Sequence, residues 1–112
     1  MNINKIESYV RKIPDFPKKG ILFYDISTLI ADETAFKSSI EKLCACVEDY
    51  KFDKIAAIDA RGFIFGAGMA LHLNVGLIMI RKKNKLPGNT VSLDYQLEYG
   101  SDTLELNIDV KK

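Results

Sequence analysis

Lys54-Ile-Ala-Ala-Ile-Asp-Ala-Arg-Gly-Phe-Ile-Phe-Gly66 is the stretch whose reading decides the fold. Ile55-Ala56-Ala57-Ile58 is a short continuous apolar run, which predicts a strand buried on both faces and so a parallel sheet. The polar turn Asp59-Ala60-Arg61-Gly62 follows at once, and from Phe63 to Leu73 the chain is apolar on nearly every side. Gly66, Ala67, Gly68 and Ala70 leave room for a close neighbour, so a buried helix is expected, ending at Asn74. Strand, tight turn and helix make half of a βαβ unit. Backbone N–H groups at the start of such a helix have no intrahelical partner; Gly62 lets an anion approach them and Arg61 adds a full positive charge. The turn is therefore a candidate phosphate or pyrophosphate seat. The same residues also suit a structural ion pair between a loop arginine and its neighbouring aspartate.

Downstream, Val75-Gly-Leu-Ile-Met-Ile80 is a second apolar run, which the right-handed crossover rule sets parallel to the first. It delivers Arg81-Lys-Lys-Asn-Lys-Leu-Pro-Gly88 to the carboxyl edge of the sheet, where ligands of open α/β sheets sit. Elsewhere four cations in five positions would read as a solvated run. Val91, Leu93, Tyr95, Leu97 and Tyr99 alternate with more polar residues, Gly100-Ser101-Asp102 interrupts, and Leu104, Leu106 and Ile108 alternate again, which predicts an antiparallel hairpin. His72, the single histidine, lies near the expected helix end and is assigned to packing rather than catalysis.

Upstream, Ile3, Ile6, Tyr9, Val10 and Ile13 recur at helical spacing, predicting a short amphipathic helix over 3–12 that Asn2 could cap and Pro14 stops. Pro14 to Gly20 is a punctuated loop entering Ile21-Leu-Phe-Tyr-Asp-Ile26, a core strand or a ligand-contacting one, with Phe23 and Tyr24 suited to flanking a planar ring. From Asp32 a second helix is expected to end near Lys51, with Phe36, Ile40, Leu43, Val47 and Tyr50 on its apolar stripe and Asp32 or Glu33 at its start.

With 112 residues, 47% of them apolar, the chain is long enough for one cored domain. Sixteen Lys and Arg oppose fifteen Asp and Glu, so a net charge of +1 gives no general reason to expect nucleic acid or a membrane surface as partner. Residues 1–11 carry charges and no long apolar run; no signal peptide or membrane anchor is expected, and a cytoplasmic setting follows. Cys44 and Cys46, two apart in a helical pattern, point away from each other and read as reduced, buried or half-buried thiols. One βαβ unit leaves sheet edges and faces uncovered, so the fold reads as unfinished.

Four blocks in order then resemble the amino-terminal part of the adenine phosphoribosyltransferase family: Ile13 to Ile26, Asp59 to Gly66, Arg81 to Gly88 and Tyr95 to Gly100. The resemblance implies an α/β, Rossmann-like type I phosphoribosyltransferase sheet, here incomplete, with flanking helices and an antiparallel hairpin hood. It implies a base-binding hood segment over 1–30, a sheet-and-helix core over 31–80, and a basic loop and mobile hairpin over 81–112. The implied reaction joins adenine to the ribose 5-phosphate of phosphoribosyl pyrophosphate, giving AMP and pyrophosphate in purine salvage. Magnesium carried mainly by the phosphoribosyl pyrophosphate, with no metal ligand of the protein's own, and a homodimer are implied with it. Carried over by residue, Leu22, Phe23 and Tyr24 meet adenine, with Phe23 on its ring. Arg61, Gly62, Arg81 and Lys85 meet pyrophosphate, Arg81 reaching towards the partner subunit. Glu98, Tyr99 and Arg61 are the implied catalytic groups, Glu98 being placed to shuttle a proton.

Three residues depart from the family's common pattern: Tyr24 for arginine, Asn84 for glycine and Asp94 for serine. The family's paired aspartates and Thr-Gly-Gly-Thr phosphate loop are not among these 112 residues. The expectation is a fragment that lacks most of the sugar phosphate site and is inactive alone. The competing expectation is a non-catalytic module that binds a purine or a partner subunit.

Overall fold

A computed structural model describes residues 1–97 and 100–107. They divide into two compact units between Val47 and Glu48.

The first unit opens with helix α1 (Ile3–Glu7), whose N-cap Asn2 accepts the Lys5 backbone N–H at 2.8 Å. The helix expected over 3–12 stops there, and strand β1 (Arg11–Pro14) pairs antiparallel with β2 (Leu22–Asp25). Ten residues without tertiary support make a marginal helix, and a strand partner outweighs the local periodicity. Arg11 is held opposite Asp25 both by register and by an ion pair. The connecting loop closes on Asp15, which adopts φ 56° and accepts the Gly20 N–H at 2.8 Å, while Gly20 itself sits at φ +88°.

Asp25 accepts the Ser27 N–H at the start of the short helix α2 (Ser27–Ile30), and the Thr28 hydroxyl donates to the Tyr9 carbonyl. Helix α3 (Glu33–Val47) begins at Asp32, whose carboxylate accepts the Ala35 N–H at 2.8 Å. The helix ends four residues before Lys51, and its buried face is Ala35, Ser39, Ile40 and Cys44. Of the expected stripe Ile40 is buried, Phe36 and Val47 are half-buried, and Leu43 and Tyr50 are exposed, so small residues complete the packed side. Both cysteines are free. Cys44 is buried, which pushes its thiol pKa up, and Cys46 is exposed.

The second unit carries the expected βαβ: β3 (Lys54–Ile58), α4 (Arg61–Leu73) and β4 (Gly76–Lys82), with β3 and β4 parallel from Lys54↔Gly76 to Ile58↔Ile80. Asn74 closes α4 in the left-handed conformation at φ 59°, donating its N–H to the Ala70 carbonyl. Burial is one-sided where it was expected on both: Ala57 is buried towards α4, whereas Ala56 and Ile58 are exposed. In the same way α4 buries Gly66 and Ala70 while Leu71 is 80% exposed. His72, assigned to packing from sequence, is exposed in the last helical turn, a position that favours a cation.

Strands β5 (Thr90–Leu97) and β6 (Gly100–Asn107) form the expected antiparallel hairpin, completing a four-stranded sheet of order β3-β4-β6-β5. The interruption expected at Gly100-Ser101-Asp102 is paired strand, these residues facing Leu97, Gln96 and Tyr95. Polar residues there misled the reading because Asp102 is claimed by cross-strand partners: it accepts the Tyr95 hydroxyl at 3.1 Å and pairs with Lys82 at 3.5 Å. No helix among the described residues is long and apolar enough to cross a membrane.

Helix α4 reaches β3 through Gly66, where an added Cβ would lie 2.6 Å from the Ala57 Cβ and 3.2 Å from a Leu77 methyl. Gly66→Ala is expected to lower stability by about 1–3 kcal/mol despite alanine's better helix propensity, because overpacking costs more than propensity returns. At Gly62 a Cβ would meet nothing closer than 4.0 Å, so Gly62→Ala is expected to unfold at an unchanged or higher denaturant midpoint. Urea titrations of the two variants check the contrast.

Candidate anion and base sites

The parallel ladder does not stop at Ile58. The Asp59 N–H donates to the Ile80 carbonyl at 2.9 Å, carrying the pairing one residue further and placing the Asp59 side chain beside Arg81 at the carboxyl edge of the sheet. The Asp59 side chain is 9% exposed, and its Oδ2 receives Arg81 Nε at 3.3 Å and Lys85 Nζ at 3.7 Å. The Arg81 guanidinium carbon also lies 5.9 Å from the centre of the Phe63 ring, within reach of a cation–π contact. Two of the cations singled out from sequence thus share one carboxylate.

Arg61 is the first residue of α4 and is exposed, followed by Gly62; the N-cap Ala60 offers no side-chain hydrogen bond to the helix. The Asp59–Ala60 peptide bond is cis. The strand, the turn and the helix start therefore bring Asp59, Arg61, Gly62, Arg81 and Lys85 to one end of one βαβ unit.

Lys85 reaches Asp59 because the basic loop folds back on the hairpin. Asn84 takes φ 69°, the Lys85 N–H donates to the Lys82 carbonyl at 3.3 Å, and the Lys83 N–H to the Thr103 carbonyl at 3.2 Å. Glu105 clasps both ends of the loop, accepting the Asn84 N–H at 2.9 Å on one oxygen and the Thr90 hydroxyl at 3.2 Å on the other. The Asn107 side-chain amide donates to the Pro87 carbonyl at 2.7 Å. Beside this clasp, Asp102 is held below its ordinary pKa, first by the Thr103 backbone N–H, and burial with the Asp102 contact raises the Tyr95 phenol. Sequence reading missed Asp59 as the cation anchor and Glu105 as the loop clasp. The signal for Asp59 was the register itself, since parallel strands ending together set residue 59 beside residue 81.

Leu22, Phe23 and Tyr24 lie on β2 in the first unit. Leu22 and Tyr24 are exposed on one face, while Phe23 is half-buried on the other, where its ring meets Phe16 edge-on with centroids 5.1 Å apart. Among the described residues β2 has a strand partner on one edge only, so its outer edge offers backbone donors and acceptors. Glu98 and Tyr99 fall outside the described residues.

No family model matches the chain. It is 51% identical over 104 residues to the adenine phosphoribosyltransferase of Maridesulfovibrio salexigens, covering 93% of this chain and 61% of that protein. The crystal structure of adenine phosphoribosyltransferase from Thermoanaerobacter pseudethanolicus matches with a TM-score of 0.92 at 50% identity, over 97% of this chain and 63% of that one. Along nearly all of its length the chain is similar to adenine phosphoribosyltransferases. It spans about three-fifths of the length of the curated relatives it matches. The Saccharomyces cerevisiae adenine phosphoribosyltransferase, solved with adenine and an imino-altritol bisphosphate, superimposes with a TM-score of 0.88 at 33% identity, over 96% of this chain and 63% of that one. The α/β architecture is that of the type I phosphoribosyltransferases, with its sheet both parallel and antiparallel.

Asp25 is held down to about 2 from 3.8, first by the Ser27 backbone N–H and then by the Arg11 guanidinium. A pKa lowered on folding gives stability that is present above 3.8 and lost as the pH falls towards about 2. Asp25→Asn is expected to melt below the unsubstituted chain at pH 7, the gap closing through that acid window in a series of thermal melts. At residue 84 the left-handed backbone is the constraint, so Asn84→Gly is expected to be tolerated and Asn84→Val to cost about 1–2 kcal/mol by urea titration.

Proposed function

We propose that the protein carrying this chain is an adenine phosphoribosyltransferase of purine salvage, forming AMP and pyrophosphate from adenine and phosphoribosyl pyrophosphate. The observation that carries the reading is the 51% identity to an adenine phosphoribosyltransferase along 93% of the chain. The cationic seat at the carboxyl edge of β3 and β4 supports it on independent, physical grounds.

The reaction breaks the bond from the sugar carbon to pyrophosphate and makes a bond from that carbon to a ring nitrogen of adenine. Cationic character develops on the sugar and negative charge on the leaving group, so fixed positive groups around the pyrophosphate stabilise the transition state. In this reading Arg61, the amides around Gly62, Arg81 and Lys85 hold the pyrophosphate. Leu22, Phe23 and Tyr24 hold adenine, the backbone of β2 reading its edge, with residues 1–30 as hood, 31–80 as core and 81–112 as basic loop and closing hairpin. Glu98 would take the proton that adenine gives up, with Tyr99 beside it. Closure of the hairpin would keep water from intercepting the sugar.

Magnesium, carried mainly by phosphoribosyl pyrophosphate, would supply positive charge to the departing pyrophosphate. Among the described residues no three His, Cys, Asp or Glu side chains gather to hold a metal ion, and the donors present suit an anion. A homodimer and a cytoplasmic setting are proposed together with this activity.

Conversion of labelled adenine to AMP by the protein carrying this sequence tests the activity. Arg61→Ala is expected to lower kcat/KM about a hundredfold, the scale of losing one charge-stabilising donor. A loss under about threefold, well below 1 kcal/mol, would reduce Arg61 to a structural role.

A further inference from the structure

We propose that Asp59 is a positioning residue for the pyrophosphate seat, a buried carboxylate that sets Arg81 and Lys85 side by side and turns the phosphate-gripping end of Arg81 outward. This rests on the assignment of the seat made above and adds to it a residue with no phosphate contact of its own.

A carboxylate whose side chain is 9% exposed requires counter-charge, and Asp59 obtains it from two cations converging on the same oxygen. Its attachment to the fold is firm, since its own N–H extends the β3–β4 ladder to Ile80. The anchor is therefore part of the sheet, while the cations stand at the ends of long, flexible stems.

The contact uses the Nε of Arg81. Among the described residues the ion pair engages Nε and not the two η nitrogens, which form the planar fork that matches phosphate oxygens. The Phe63 ring centre lies 5.9 Å from the guanidinium carbon, within cation–π reach. Arg81 remains 30% exposed and Lys85 50% exposed, so both can be reached from solvent while held. One carboxylate between two cations leaves a net positive seat for a multiply charged anion.

Charge alone and positioning predict opposite signs. Removing a carboxylate from beside two cations makes the seat more positive, which by Coulomb attraction strengthens pyrophosphate binding. If Asp59 positions the cations, its removal lets them separate and binding weakens.

Isothermal titration of the protein carrying this sequence with inorganic pyrophosphate, unsubstituted and as Asp59→Asn and Asp59→Glu, separates the two. Asp59→Asn is expected to bind at least about tenfold more weakly, the scale of losing a pre-set geometry, with Asp59→Glu recovering part of the loss. Nitrogen-detected NMR of the arginine side chains supplies a readout that needs no variant. The Arg81 Nε–H signal is expected to stay protected from exchange when pyrophosphate is added, while the η signals shift. Equal or tighter binding by Asp59→Asn, or loss of the Nε–H protection on adding pyrophosphate, overturns the positioning role and leaves the seat itself standing. No binding by the unsubstituted chain removes the seat, and the role of Asp59 with it.

Discussion

Helix α4 can lie on β3 only as closely as Gly66 permits. Its missing side chain lets the helix approach the Ala57 Cβ to a distance that no larger residue would allow, with Leu77 of β4 closing the other side. That contact fixes the height of the helix over the two parallel strands, and hence where the turn between β3 and α4 places Asp59 and Arg61. Apolar packing in the middle of the unit thus sets the geometry of charges at its end.

The charges in turn tie distant parts of the second unit together. Asp59 lies at the end of β3, Arg81 at the end of β4, and Lys85 in the loop before the hairpin, yet all three meet at one oxygen. Glu105 on β6 holds the same loop from the opposite side through a backbone N–H and a hydroxyl. Carboxylates on two different strands therefore shape one basic loop. A run of cations left to itself would spread by mutual repulsion; here it is folded by fixed acceptors.

The parallel pair, the crossover helix, its Asn74 stop and the hairpin were all legible in the sequence, because each rests on a local signal: a continuous apolar run, a left-handed residue, a period of two. What failed had a longer range. Residues 3–12 carry helical periodicity, but β1 forms where β2 offers a partner and Asp25 offers a charge to Arg11. The stripe on α3 was read from the largest side chains, whereas the packed face adds Ala35, Ser39 and Cys44 to Ile40 and leaves Leu43 exposed. Gly100 to Asp102 looked like a break because polarity was read as solvation, when Asp102 is bonded across the strands. That Arg81 and Lys85 come to the carboxyl edge of the sheet was legible from the strand that delivers them; the carboxylates that hold this loop, Asp59 and Glu105, were not, since they became partners only through register.

The same distinction accounts for the departures from the family pattern. Asn84 stands at φ 69°, a backbone region that glycine enters freely and asparagine tolerates, so the constraint at that position is the left-handed turn rather than the absence of a side chain. Asp94 lies directly opposite Thr103, and its carboxylate accepts the Thr103 hydroxyl at 2.6 Å; what the hairpin uses there is an oxygen acceptor, which serine also supplies. Tyr24 is exposed on the outer face of β2, and nothing in the structure explains a tyrosine at that position. At 84 and 94 the structure asks for a left-handed backbone and an acceptor atom, each of which a second residue type can supply. A residue that meets the same requirement would leave the basic loop and the hairpin with the same fixed points, and so leave Arg81 and Lys85 delivered to the same carboxylate.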